Sequence, residues 1–151
     1  MSHEAISVRK GLIRDYEKHW HMNRGIKIIH PDQRSTATAQ TSGMKREAAI
    51  SPELTGSQTI WVGLVTTPAG MNGGWHHHGD CESAIYVVSG RARFRWGANG
   101  EHAAEVQAGD FLSVPPNEIH HEEALGDEPF VMVVARGCAN TITINVDGPN
   151  S

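Results

Sequence analysis

From residue 57 onward the apolar positions fall mostly at a spacing of two, in short runs broken by glycine and proline. "SQTIWVGLVTTPAG" (57–70) is strand-like and ends in a Pro/Gly turn, and "SAIYVVSG" (83–90) reads as a short buried strand closed by Gly90. "RARFRWG" (91–97) alternates cleanly, with Ala92, Phe94 and Trp96 on one face and Arg91, Arg93 and Arg95 on the other. "ANGE" (98–101) predicts a tight turn, because Asn-Gly accepts positive φ. "AEVQAGDFLSVPPNEIHHEEAL" (104–125) holds two short strands punctuated by "AGD" and "PPNE", and "EPFVMVVARG" and "NTITINVD" read as strands again. Six or more short strands with Gly/Pro turns and no helical period predict an all-β sandwich or barrel.

The first 50 or so residues have a different character. "LIRDYEKHWHMNRG" (12–25) is a short helix or an extended arm, "GIKIIHP" (25–31) reads as one strand, and "PDQRSTATAQTSG" (31–43) is loop-like. The expected division is an N-terminal extension over 1–55 and a barrel over 56–151. A small barrel has sheet edges that an exchanged strand would cover, so a homodimer is expected, with "GIKIIHP" as the exchanged strand.

Composition narrows the function classes. Acids and bases are mixed, with a formal net charge of -4, and no concentrated basic surface of the kind nucleic acid demands is evident. No apolar run is long enough to span a bilayer, and the start has no secretory-type segment, so a cytoplasmic protein is expected. Cys81 and Cys138 are then expected to remain reduced rather than to pair. His-Glu-x-x-His, Gly-rich phosphate loops and Gly-x-Ser-x-Gly are missing from the sequence, which argues against a nucleotide-dependent enzyme.

Histidine is the unusual component. Of 10 histidines, five fall in two clusters, His76-His77-His78 and His120-His121. On a strand, residues two apart share a face, so His76 and His78 point together and His77 points away. Their imidazoles can converge on one ion at about 2.0–2.2 Å. Glu82 follows after a short loop and can return a carboxylate to the same ion. In the second cluster His120 and Glu122 share a face, and His121 points away. The plainer readings are an exposed polar loop for the triple histidine, a small buried thiol for Cys81 and a solvated strand face for the three arginines.

The spacing of these residues resembles the two motifs of the cupin superfamily. Gly70, five residues, His76-x-His78, three residues, Glu82 and then Gly90 match the first motif. Gly109-Asp110, Pro115 after five residues counted from Gly109, and His120 five positions after Pro115 match the second. The resemblance implies a double-stranded β-helix, a small jelly-roll barrel, with His76, His78, Glu82 and His120 as ligands of one divalent metal ion: Fe, Mn, Ni, Co or Zn. There are departures. The glutamate position seven before the final glycine is Ser83, with Glu82 one earlier; the usual glycine of the second motif is Asn117; and Ala124 stands where asparagine is usual. Glu82 shares its parity with Ala84, Tyr86 and Val88, and Ser83 shares its parity with Ile85 and Val87, so one of the two faces the interior.

The family contains dioxygenases, isomerases, decarboxylases, lyases and binding proteins. The expected function is a metal-dependent enzyme acting on a small oxygenated substrate, as a dioxygenase or a sugar-type isomerase or lyase. The alternative is a non-enzymatic binding or sensing protein with a structural metal. Glu122, Glu118, Cys81 and His121 are the candidate acid/base groups near the ion. Tyr86, Val88, Phe94 and Trp75 are expected to line the barrel. The expected partners are a small molecule and a second copy of the chain, not nucleic acid or membrane.

Overall fold

A computed structural model of the chain describes residues 25–140 and 143–149. The helix or arm expected over 12–25 lies outside them, apart from Gly25. In chain order the strands are β1 (Lys45–Ile50), β2 (Trp61–Thr67), β3 (His76–His77), β4 (Ser83–Ser89), β5 (Arg91–Trp96), β6 (His102–Gln107), β7 (Phe111–Val114), β8 (His120–Leu125), β9 (Phe130–Arg136) and β10 (Ile144–Asn145). One short helix, α1 (Pro52–Thr55), follows β1. The strands form two five-stranded antiparallel sheets, in the orders β1-β2-β9-β4-β7 and β10-β3-β8-β5-β6. This is the all-β jelly roll that the strand pattern and the motifs predict.

Period-two alternation builds the interior. Trp61 and Val65 of β2, Ile85 and Val87 of β4, and Phe130, Met132 and Val134 of β9 turn inward from one sheet. Ala92, Phe94 and Ala124 face them from the other. Phe94 meets Phe130 edge-on, with centroids 6.0 Å apart. Each fully buried side chain of this size contributes roughly 1.5–3 kcal/mol. The arginines of β5 lie on its outer face, where Arg93 pairs with Glu105 and Glu123.

Tight turns hold the strand ends. Gly90 joins β4 to β5 at φ 78°, and a Cβ there would run into the Pro129 carbonyl oxygen. Asn117 takes the left-handed conformation at φ 61°. Its backbone N–H donates to Gly79 O (2.7 Å) and its side-chain amide donates to Asp80 (3.0 Å). The second motif is thereby tied to the loop that follows the triple histidine.

Three expectations are corrected. First, β1 belongs to the sheet, paired along β2 from Lys45↔Thr66 to Ile50↔Val62. The polar and irregular pattern of residues 1–50 does not mark this strand. The strand escapes a hydrophobic pattern because its inward positions are Arg46 and Ala48. Second, "GIKIIHP" forms no strand: within the described residues it has no ladder partner, and Ile26 and Ile28 point outward. Third, Cys81 and Cys138 form a disulfide. The chain after β9 returns alongside the β3–β4 loop, where Gly137 N donates to Glu82 O (3.0 Å), and this brings the two sulfurs together. The expectation of two reduced thiols, drawn from a cytoplasmic location, is therefore not met. Among the described residues no helix is long and apolar enough to cross a membrane.

Candidate metal centre

The short pairing of β3 with β8 sets His76 directly opposite His120. His78, two residues on, points the same way, and all three rings are buried. One nitrogen of each lies within 4.8 Å of the others. The hydrogen bonds fix which nitrogen that is for two of them. His76 Nδ1 lies 2.8 Å from Gly74 O and His120 Nδ1 lies 2.8 Å from Glu118 O. A carbonyl accepts only, so each Nδ1 carries the proton and each Nε2 presents its lone pair as an acceptor. Metal-binding histidines are oriented by this same backbone contact.

Charged groups surround the triad. Arg46 Nη2 donates to His76 Nε2 at 3.2 Å, and Arg136 Nη2 stands 3.5 Å from His78 Nε2. Both guanidiniums are buried. Arg46 is anchored by Thr41 Oγ1 (2.8 Å), and Arg136 lies over Trp61, 4.8 Å from the ring centroid. Glu122, two residues after His120, is fully buried with neither carboxylate oxygen hydrogen-bonded. Burial raises its carboxyl to about 7, against the opposing pull of Arg46 and Arg136. Burial holds His76 far below the usual imidazole range, reinforced by His120 and Arg46, and holds His120 at about 4. Burial also lowers Arg136, to about 9. His76 and His120 are thus neutral, the form in which histidine binds a metal.

These residues fit a metal ion. Three imidazole nitrogens converge as ligand atoms, while the guanidiniums of Arg46 and Arg136 beside them would have to yield to a cation. The space among the side chains is about 10 Å³, enough for one water-sized occupant. It adjoins a larger cavity of about 290 Å³ under Phe94, Trp96, Val106 and Leu112, with His120 in the wall of both.

Glu82 does not join the cluster. It is exposed on the outer face, and Ser83 takes the inward position with its hydroxyl buried and without a hydrogen-bond partner. The reason is strand parity: Ile85 and Val87 must be buried, which turns Glu82, Ala84, Tyr86 and Val88 outward. Tyr86 and Val88 therefore do not line the interior, as the sequence had suggested; Tyr86 packs on Phe111 outside, with centroids 4.8 Å apart. His77 faces away, its Nδ1 accepting from Gly79 N (3.2 Å). His121 packs against Trp75 outside the triad, at 4.2 Å between centroids. Glu118 accepts from Gly97 N (3.1 Å) at the larger cavity. Cys81, in its disulfide, is no nucleophile.

Sequence reading missed Arg46 and Arg136. The available signal was parity: Phe130, Met132, Val134 and Arg136 share one face of β9, and an arginine on an otherwise apolar face is a buried charge with a task.

Comparison with known proteins agrees with this geometry. The chain is 35% identical over 96 residues to the oxalate decarboxylase OxdC of Bacillus subtilis, covering 62% of this chain and 25% of that protein. The chain thus spans about a quarter of that relative's length. A structure of the same enzyme, described by its Mn(II) centres, superposes with a TM-score of 0.62 at 30% identity, over 72% of this chain and 29% of the other. An uncharacterized protein with a double-stranded β-helix domain from Klebsiella pneumoniae gives a TM-score of 0.63 at 19% identity, covering 82% of this chain and 99% of the other, a likeness of fold alone. The cupin domain family (Cupin_2) matches residues 63–136, from β2 to the end of β9. With its two antiparallel sheets and its buried histidines at the motif positions, the chain belongs to the cupin superfamily.

Proposed function

We propose that His76, His78 and His120 hold one divalent metal ion, and that the chain is a metal-dependent enzyme acting on a small oxygenated substrate. The carrying observation is the convergence of three buried imidazoles, two of them fixed by backbone carbonyls so that Nε2 faces the centre. Such donors accept Fe(II), Mn(II), Co(II), Ni(II) or Zn(II); the Mn(II) centres of the Bacillus subtilis relative support manganese. When bound, the ion supplies Lewis-acid polarisation of a carbonyl or carboxylate oxygen and open positions for ligands. The chain's own residues do the remainder. The paired sheets fix the three rings in advance. Phe94 and Val114 stand with His120 in the wall between the triad and the larger cavity and narrow the access of water there. Glu122 places an unpaired carboxyl beside the triad, where Oε1 or Oε2 can take or give a proton. A proton carrier at that point favours a lyase or isomerase over a dioxygenase, and the decarboxylase activity of the relative points the same way.

Untagged protein purified without added metal is expected to carry about one metal ion per chain by elemental analysis, and His76→Ala and His120→Ala to carry none. Wild-type protein that is metal-free and takes up neither Mn(II) nor Fe(II) would remove the reading. The alternative, a binding protein with a closed structural metal, is separated by water-proton relaxation of the Mn(II)-loaded protein. An exchangeable water at the ion enhances relaxation; a closed site does not.

A further inference from the structure

We propose that the outer face of the sheet β1-β2-β9-β4-β7 packs on the same face of a second copy of the chain, forming a two-fold dimer. This inference does not depend on the metal reading. Strand register carries it. Leu64 of β2 stands opposite Val133 of β9, Val133 opposite Tyr86 of β4, and Tyr86 opposite Phe111 of β7. All four point away from the core, so one apolar row crosses four adjacent strands. Tyr86 is 41% exposed and Phe111 79%. The neighbouring row repeats the pattern with Val62, Ala135 and Ala84. No outward position of these four strands carries a charge. The core does not demand this, because alternation leaves outward positions free to be polar. The other sheet uses that freedom, with Arg91, Arg93 and Arg95 on its outer face and Glu105 and Glu123 beside them. A contiguous apolar face on the same molecule marks an interaction surface.

Area, shape and charge select a second copy as the occupant. With strands about 4.8 Å apart and residues rising about 3.3 Å, the sheet covers roughly 500 Å². Two copies face to face bury about 1,000 Å², the size at which a specific interface begins. Twisted sheets of one hand stack about 10 Å apart with their strands about 30° off parallel, so this face can meet its own copy without rearrangement. A two-fold interface sets the same patch against itself, which suits a face free of charge of either sign. At its β1 border Lys45 and Glu47 already neutralise each other at 3.3 Å. A partner selected by charge would find nothing to read here. A lipid surface gains little, because the face brings one basic residue, Lys45, against a formal net charge of -4.

Sedimentation equilibrium of the full chain at micromolar concentration is expected to give twice the chain mass. Val133→Lys and Tyr86→Lys each set an unpaired charge inside the interface and are expected to weaken dimerisation about 100-fold or more. Arg93→Ala, on the outer face of the other sheet, is expected to leave it unchanged. A second measurement needs no disruptive variant. Ser113 lies on the proposed face, and with Cys81 and Cys138 bridged, Ser113→Cys supplies a single free thiol for a spin label. Dipolar coupling between copies is expected to be stronger from Ser113→Cys than from Arg93→Cys. A monomeric wild-type chain, a dimer that survives both lysine substitutions, or the reverse order of coupling overturns the proposal. So does a monomer that co-sediments with phosphatidylcholine vesicles, which would assign the face to lipid.

Discussion

Arg46 Nη2 donates to the Nε2 lone pair of His76 at 3.2 Å, so the guanidinium occupies the coordination position that a metal on His76 would take. Ion and guanidinium compete for one nitrogen and repel each other once both are in place. Replacing Arg46 by methionine should therefore tighten metal binding, by up to about 4 kcal/mol for unit charges about 4 Å apart at an effective dielectric near 20. Competition against a metallochromic chelator measures it. A weaker affinity would mean that Arg46 supports the ion, and an unchanged one that the two do not compete.

Ligand identity follows strand parity. His76→Ala, His78→Ala and His120→Ala should each lower metal affinity at least about 100-fold, more than the loss of an orienting outer partner typically causes. His77→Ala, His121→Ala and Glu82→Gln should leave it within about 0.5 kcal/mol, the range of surface substitutions. The same chelator competition decides. A loss of affinity in Glu82→Gln would require the β3–β4 loop to turn its carboxylate inward when metal binds.

Metal-free protein should show two opposing pH effects on stability. Burial keeps His76 and His120 below their unfolded value near 6.5, His120 at about 4. Between about 4 and 6.5 the unfolded chain then binds more protons, and stability falls as pH falls through that window. Glu122 runs the other way, because burial raises its carboxyl from 4.5 to about 7. The stability it contributes is present below 4.5 and is lost as pH rises through about 7. Thermal melts in EDTA from about pH 5 to pH 8 should show Glu122→Gln gaining on wild type by about 1–3 kcal/mol as pH rises. A constant gap would show that Arg46 and Arg136 hold Glu122 ionised throughout.

The Cys81–Cys138 bridge closes a loop with a sequence separation of 57. Restricting the unfolded chain over that length is worth about 4 kcal/mol in the chain-entropy account. Cys138→Ser, or reduction, should lower stability in urea by about 2–4 kcal/mol. Because Cys81 N donates to His78 O (3.2 Å), metal affinity should weaken with it. Reduced protein with unaltered urea midpoint and metal affinity would make the bridge dispensable.

The three histidines were legible because two independent signals agreed on them, strand parity and motif spacing. Glu82 was not, because the two signals disagree there. Spacing from His78 selects Glu82, whereas counting back from Gly90 selects Ser83, and burial of Ile85 and Val87 decides for Ser83. β1 was lost to a pattern that looks for apolar residues, since its inward Arg46 is charged. The disulfide was judged from compartment, an argument with no information on where two loops meet. Arg46 and Arg136 stand far apart in sequence, on strands that come together on either side of β2 in one sheet, so no local motif could announce the pair.

The pairing of His76 with His120 has a consequence for how the chain finds its alignment. A slip of β3 by one residue along β8 would turn His77 inward and send His76 and His78 outside. In a run of three histidines that error is chemically inconspicuous, because an imidazole still faces the core. Only the native alignment gathers three of them. An ion that demands three partners would act as a proofreader of strand register, rewarding the correct match and ignoring its near neighbours. It can do so only after distant parts of the chain have met, late in folding, when misaligned strands would otherwise be trapped.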